Sequence, residues 1–248
     1  MIIAAPFVAV GHDGLDRRPV VPRHMLPSET GLVELHAGQV NDLSRYHELD
    51  YEERAIVSAA VDSRKAEFGD GRWCAHRALR GLGEDVPILR GPKGMPLFPS
   101  TVSGTISHTR GLRMALVGRS EHWQSLGLDV EVAQRLPEGV LTAVTSVRER
   151  RVLRRVGSRV PGRERGTVLF SAKESVYKAW YPLAGRFLDF DEVDMHLEIT
   201  ELGDGPGDEI SGTWHARVLS RPSPVPALHG TWVIRDGYVV TVCGVQER

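Results

Sequence analysis

The chain has 248 residues, 41% hydrophobic and 25% charged, with a formal net charge of −1. That is an ordinary globular composition, large enough for one big domain or two small ones. The near-neutral balance excludes a general nucleic-acid binder, and the apolar runs fall short of the ~20 residues a membrane span needs.

The first ten residues are apolar, but no basic region precedes them and no cleavage site follows, so the expectation is a cytoplasmic protein without a membrane partner. Cys74 and Cys243 are the only cysteines and stand in no metal-ligand spacing. Residues 1–48, with Pro19, Pro22 and Pro27, read as irregular. Asp50-x-x-Glu53 has the form of a capping box, so a helix is expected from about Asp50, delivering Arg64 and Lys65 at its far end. Gly69-Asp70-Gly71 is expected to break it. A second helix is expected from Arg72 to Leu82, where Cys74, Ala78 and Leu82 recur every four residues.

Gly91-Pro92-Lys93-Gly94-Met95-Pro96 is a turn-rich loop carrying a lysine. Val102–His108 and Leu112–Gly118 follow as strands, joined through Thr109-Arg110-Gly111. Leu126–Glu131 is the next strand. Asp129 and Glu131 are two apart, so both carboxylates leave the same face. A short helix is expected over Pro137–Thr145. Ser146-x-x-Glu149 is a second capping box, opening an arginine-rich helix to about Val156, with a loop over 157–166.

Thr167–Tyr181 reads as a helix stopped by Pro182. Leu169, Ala172, Val176 and Ala179 form its apolar stripe, while Glu174 and Lys178, four apart, share another face. Val193–Ile199 and Gly212–Leu219 are strands on either side of a turn-rich link over 203–208. Thr231–Ile234 and Tyr238–Cys243 flank Asp236-Gly237, a hairpin signal.

Asp129, Glu131, Glu174 and Lys178 combine three carboxylates with an ammonium. Such a set suits a hard divalent cation holding phosphate oxygens, with the lysine supplying further positive charge. Taken alone, a D-x-E pair is more often a solvated strand edge, and a Lys-Glu helix pair an exposed face. The earlier half of the chain adds the cations Arg64, Lys65, Arg72, Arg90, Lys93 and His108.

Gly127-Leu128-Asp129-Val130-Glu131 and Phe170-Ser171-x-Lys173-Glu174-Ser175-x-Tyr177-Lys178 together resemble the paired signature of the Sfp-type 4′-phosphopantetheinyl transferases, and fill every position of it. The resemblance extends to Glu67–Leu79, to Pro87–Gly94 and to Gly104-Thr105-Ile106-Ser107-His108, in the manner of the branch serving enterobactin and secondary metabolism. It implies an α+β fold of two similar lobes related by a pseudo-two-fold, 1–122 and 123–248, with the ligand between them. It implies transfer of the phosphopantetheine arm of coenzyme A to a serine of an acyl or peptidyl carrier protein, releasing adenosine 3′,5′-bisphosphate.

By the same resemblance, Mg²⁺, or Mn²⁺ in its place, is held by Asp129, Glu131 and Glu174. Coenzyme A meets Arg64, Arg72, Arg90, Lys93, Ser107, His108, Lys173 and Lys178. Glu174 and Lys178 are the catalytic pair. The expected state is a monomer. Two alternatives stand beside this reading, a Mg²⁺-dependent coenzyme A hydrolase and a non-catalytic coenzyme A-binding module. Arg148, Arg150, Arg151, Arg154, Arg155, Arg159, Arg163 and Arg165, against only Glu149 and Glu164 over the same stretch, are expected to dock an acidic carrier.

Overall fold

Two glycines expected to interrupt a helix instead lie inside one. The computed structural model describes residues 7–11, 17–38, 41–156, 164–202 and 209–247. The chain divides between Leu126 and Gly127 into two compact units, with 246–247 belonging to the first.

In the first unit, β1 (Phe7–Gly11) and β2 (Thr30–His36) pair in parallel. Both fall where irregular structure was expected, since the prolines at 19, 22 and 27 lie in the connection rather than in the strands. Then come α1 (Ser44–His47), α2 (Tyr51–Ile56) and α3 (Asp62–Gly81). The expected break at Gly69-Asp70-Gly71 is absent, and α3 runs through it. Gly69 is there for closeness: a Cβ would lie 2.6 Å from the Tyr46 backbone nitrogen, so only glycine lets α1 pack this near.

The Asp50 side chain makes no cap bond. Glu53 is drawn inward instead, fully buried, accepting from the Ile88 amide at 3.0 Å and lying 2.9 Å from His76 Nε2. A buried carboxylate is held by the donors around it, and these two core partners outweigh one exposed capping bond.

β3 (Leu89–Arg90) and β4 (Pro96–Leu97) form a small ribbon. β5 (Val102–Thr109) and β6 (Leu112–Arg119) form a hairpin in register from Val102↔Arg119 to Thr109↔Leu112, turning at Gly111 with φ +83°. The four-stranded sheet runs β1-β2-β6-β5. Its core gathers Val33, Leu35, Cys74, Ala75, Ala78, Leu79, Ala115 and Val117.

The second unit opens within β7 (Trp123–Val132). α4 (Glu138–Val144) and α5 (Val147–Val156) follow. At the start of α5 the expected capping box is closed in both directions: the Ser146 amide donates to Glu149 Oε2 at 2.7 Å, and the Glu149 amide to Ser146 Oγ at 3.1 Å.

α6 (Arg165–Ala184) continues past Pro182, which sits in its last turn, and ends at Gly185 with φ +67°. A proline so near the C-terminus removes one bond without halting the helix, and the left-handed glycine is the actual stop. β8 (Val193–Leu202), β9 (Ile210–Val218), β10 (Ala227–Arg235) and β11 (Tyr238–Gln246) complete a sheet ordered β7-β11-β10-β9-β8. The expected link over 203–208, and 157–163 of the expected loop after Val156, lie outside the described residues.

The β10–β11 turn has Asp236 at φ +51° and Gly237 at φ +80°, the two left-handed positions a tight hairpin needs. α6 lays Val168, Leu169, Ala172, Val176, Ala179 and Trp180 against Trp214, Ala216, Trp232 and Val239 of this sheet. Among the described residues, no helix is long and apolar enough to cross a membrane.

Candidate active site

The second unit carries the carboxylates. Asp129 and Glu131 leave one face of β7 by strand alternation, and Glu174 and Lys178 lie one turn apart on α6. What brings strand and helix this close is Gly127. A Cβ there would stand 2.0 Å from the Ser175 carbonyl oxygen and 2.8 Å from Cys243 Sγ. Backbone thus rests on backbone, two residues before Asp129 and one after Glu174. The hydroxyl of Thr241 donates to the Ser171 carbonyl at 2.9 Å, stitching β11 to the same helix.

Lys178 Nζ donates to Asp129 Oδ1 at 2.8 Å and to the Leu128 carbonyl at 3.0 Å. Asp129 itself is buried. Glu131 is pushed up to about 7, first by burial and then by the charges of Asp129 and Glu174, with Lys178 pulling the other way. Glu174 is raised too, by burial first and then by Asp129, again against Lys178. Three carboxylates with one ammonium leave a formal charge of −2 when all are ionised.

An all-oxygen donor set with that deficit fits one hard divalent cation. Among the described residues, however, no three carboxylate, imidazole or thiol side chains already stand in ligand geometry around one point. Lys178, seated on Asp129, accounts for part of that: the ammonium holds the oxygen a cation would use.

Lys173 departs from expectation. It was expected at the phosphates, but its ammonium bonds Glu149 Oε2 at 3.0 Å and the Phe190 carbonyl at 2.7 Å, with its side chain 1% exposed. Burial lowers its pKa, and Glu149 opposes that. The reason is helical phase: Lys173 lies about 100° round from Glu174, so it cannot share the face of Glu174 and Lys178. Glu149 also accepts from the Met195 amide at 2.9 Å. One carboxylate therefore holds the start of α5, the middle of α6 and the beginning of β8. Sequence reading found Glu149 as a cap but carried no signal for these other two bonds.

The first unit carries the cations. Arg64 and His108 lie together, Arg64 Nη1 being 3.4 Å from His108 Nε2. His108 and Ser107 are consecutive on β5 and so leave opposite faces. Ser107 is buried at 4% exposure, while His108 is exposed. Arg90 and Lys93 are exposed on the β3–β4 ribbon, Lys93 at φ +55°.

Arg72 is not a surface cation. It is 6% exposed, its guanidinium lies 4.6 Å over the Phe68 ring, and Nε is 3.6 Å from Glu53 Oε1. Nε makes no hydrogen bond among the described residues. Burial lowers its pKa to about 10; Glu53 opposes this, and Arg64 and Arg90 push further down. Three guanidiniums close enough to repel, one of them largely buried, form a cluster that an anion would relieve.

Of the arginine-rich segment, Arg148 pairs with Asp194 at 3.0 Å, and Arg165 donates to the Leu153 carbonyl at 2.9 Å. Arg150 Nη1 bonds Thr145 Oγ1 at 3.2 Å. Arg151 and Arg154 are exposed. The side chains of Arg155, Arg159 and Arg163 lie outside the described residues.

The first unit thus carries crowded guanidiniums and the second an excess of carboxylates over ammonium. Comparison with known proteins identifies the class. Residues 52–118 match the 4′-phosphopantetheinyl transferase N-terminal domain, and 125–243 the 4′-phosphopantetheinyl transferase superfamily. The 4′-phosphopantetheinyl transferase Npt of Nocardia iowensis is 36% identical over 76% of this chain and 86% of its own. Svp of Streptomyces mobaraensis, another 4′-phosphopantetheinyl transferase, is 41% identical over 78% of this chain and 77% of its own. Enterobactin synthase component D of Salmonella typhi is 34% identical over 56% and 59%.

The chain belongs to the 4′-phosphopantetheinyl transferase superfamily. It is a transferase that moves the phosphopantetheine arm of coenzyme A to a carrier-protein serine, as the paired motif implied.

Proposed function

We propose that transfer runs on Asp129, Glu131, Glu174 and Lys178, with the anionic end of coenzyme A met by Arg64, Arg72, Arg90, Lys93 and His108. The observation that carries this is the charge balance: Asp129 and Glu174 lie close enough to Glu131 to raise it, Lys178 sits on Asp129 at 2.8 Å as the one ammonium, and a divalent cation would make up the difference. Asp129, Glu131 and Glu174 are the residues that would hold Mg²⁺, or Mn²⁺. When bound, the ion supplies Lewis-acid neutralisation of the pyrophosphate.

The residues divide the remaining work. The hydroxyl of the carrier serine attacks the β-phosphorus, which bears the pantetheine arm. Its proton passes to Glu174, whose raised pKa makes it a better acceptor than an ordinary glutamate. Lys178, already held at the pocket by the Leu128 carbonyl, donates to oxygen as negative charge develops there. The bond from phosphorus to the bridging oxygen breaks, and adenosine 3′,5′-bisphosphate leaves. Lys173 acts through position, holding α6 to Glu149, and does not touch phosphate.

The exposed Arg151 and Arg154 on α5 support docking of an acidic acyl or peptidyl carrier. The likeness to an enterobactin synthase component favours carriers of siderophore, polyketide or peptide assembly.

The test is mass measurement of a carrier protein incubated with coenzyme A and Mg²⁺. Wild type should add one phosphopantetheine arm. Asp129→Ala should remain folded and lose transfer, because a charged ligand and no core volume is removed. Normal turnover by Asp129→Ala at ordinary Mg²⁺ refutes the assignment. Free phosphopantetheine with no labelled carrier would instead mark a hydrolase.

A further inference from the structure

Three histidines stand side by side across three strands of the second unit's sheet, and none of them has a part in the chemistry described above. His196 on β8 pairs directly with His215 on β9. His215 pairs in turn with His229 on β10. Direct antiparallel partners put their side chains on the same face, with Cα atoms about 4.5–5.5 Å apart. All three are exposed, while Met195, Trp214, Ala216 and Leu228 beside them point into the core. The row is therefore on the outer face of the sheet.

The next row on that face is Glu198, Thr213 and Thr231, paired in the same way. Glu198 Oε1 lies 3.5 Å from His196 Nε2. These six residues, with Trp214 and Gly230, line a groove of about 320 Å³.

Folding alone does not call for such a row. Histidine is not a favoured strand residue, and three in one register, with no apolar contact between strands to gain, add little to the sheet. From this geometry we infer a surface site for a borderline transition-metal ion, Zn²⁺ or Cu²⁺, bound by His196, His215 and His229 with Glu198 as a carboxylate ligand. Imidazole nitrogen is the donor these ions prefer, and Mg²⁺ does not.

Among the described residues no three such side chains are gathered around one point. Only side-chain torsions are needed to gather them, because the backbone is already in register. Each outer ring must lean inward by one strand spacing, about 4.8 Å. That is within the length of a histidine side chain plus one metal–nitrogen bond of about 2 Å. A site assembled on binding is weaker than a preformed one, so the ion is exchangeable.

The experiment uses the tag-free full chain at neutral pH, with excess Mg²⁺ to occupy the carboxylate pocket. Cu²⁺ is titrated and followed by electron paramagnetic resonance, and Zn²⁺ by calorimetry. The expected result is one Cu²⁺ with nitrogen hyperfine lines from at least two imidazoles, unchanged in Asp129→Ala. His215→Asn, which removes the central ligand, should bind Zn²⁺ at least about tenfold more weakly. The triple change of His196, His215 and His229 to Asn should abolish the nitrogen lines, with transfer activity and melting temperature intact. A wild-type spectrum without imidazole nitrogen overturns the site, and so does a triple variant that binds as well as wild type.

Discussion

Gly127→Ala is the most informative single change, because it adds one methyl at the point where strand and helix touch. The new Cβ would begin 2.0 Å from the Ser175 carbonyl oxygen, and ordinary contact begins near 3.4 Å, so α6 must retreat by about 1.4 Å. The nearest atom is backbone, so turning the Cys243 side chain aside does not relieve the clash. Overpacking of this kind costs about 1–3 kcal/mol of folding stability. The larger effect is on chemistry. Glu174 and Lys178 ride on the same turns of α6 as Ser175, so the retreat separates them from Asp129 and Glu131.

A displacement of about 1 Å at reacting groups costs on the order of 100-fold in rate. Guanidinium denaturation should place Gly127→Ala within about 3 kcal/mol of wild type. Transfer measured at saturating coenzyme A and carrier should fall by about two orders of magnitude. Adding Cys243→Ala removes the 2.8 Å contact with Sγ but not the carbonyl clash, so it should not restore the rate. A Gly127→Ala protein with wild-type turnover, or one cured by Cys243→Ala, would show that the glycine does not set the strand–helix distance.

Glu149→Ala should cost about 3–5 kcal/mol, because it leaves the Lys173 ammonium buried without its carboxylate. Glu149→Leu combined with Lys173→Met should recover much of that loss in thermal melts, and failure of the double variant to recover would refute the pairing. Glu131 sits above its ordinary 4.5, at about 7, so between those values the folded state holds a proton more tightly than the unfolded chain does. Metal-free stability should therefore fall as pH rises from about 5 to about 7.5, and saturating Mg²⁺ should flatten the slope; a rise over the same range would falsify this. Reversing Arg151, Arg154 and Arg155 to Glu should raise the Michaelis constant for an acidic carrier and spare that for coenzyme A. The wild-type rate at low carrier should also drop with salt, and unchanged carrier kinetics in the reversed protein would rule out docking there.

Alternation and helical spacing were enough to locate β5, β6 and the carboxylate strand, and to put Asp129 and Glu131 on one face. They failed wherever a residue's reason lay in a distant part of the chain. Gly69 and Gly71 look like breakers because local propensity is all a window can see; Gly69 is instead the price of the close approach of α1. Glu53 looks like a cap until Ile88 and His76 are brought to it. Lys173 is put at the phosphates by the family resemblance, yet its position beside Glu174 on a helix turns it to another face, where it meets Glu149. β1 and β2 were invisible because the prolines and glycines between them dominate the composition.

Glu149 ties α5, α6 and β8 from the inside, while Arg151 and Arg154 on the same helix project outward. The helix therefore has a fixed root and a free crown. If carriers dock on this helix as proposed, substitution on the crown would change which partner is recognised and leave the carboxylates of the site in place. A lineage could thus acquire a new carrier by trading surface charges one at a time, each intermediate still a working enzyme. Relatives of this chain that serve different carriers should then differ along the outward side of this helix, and keep its single inward carboxylate.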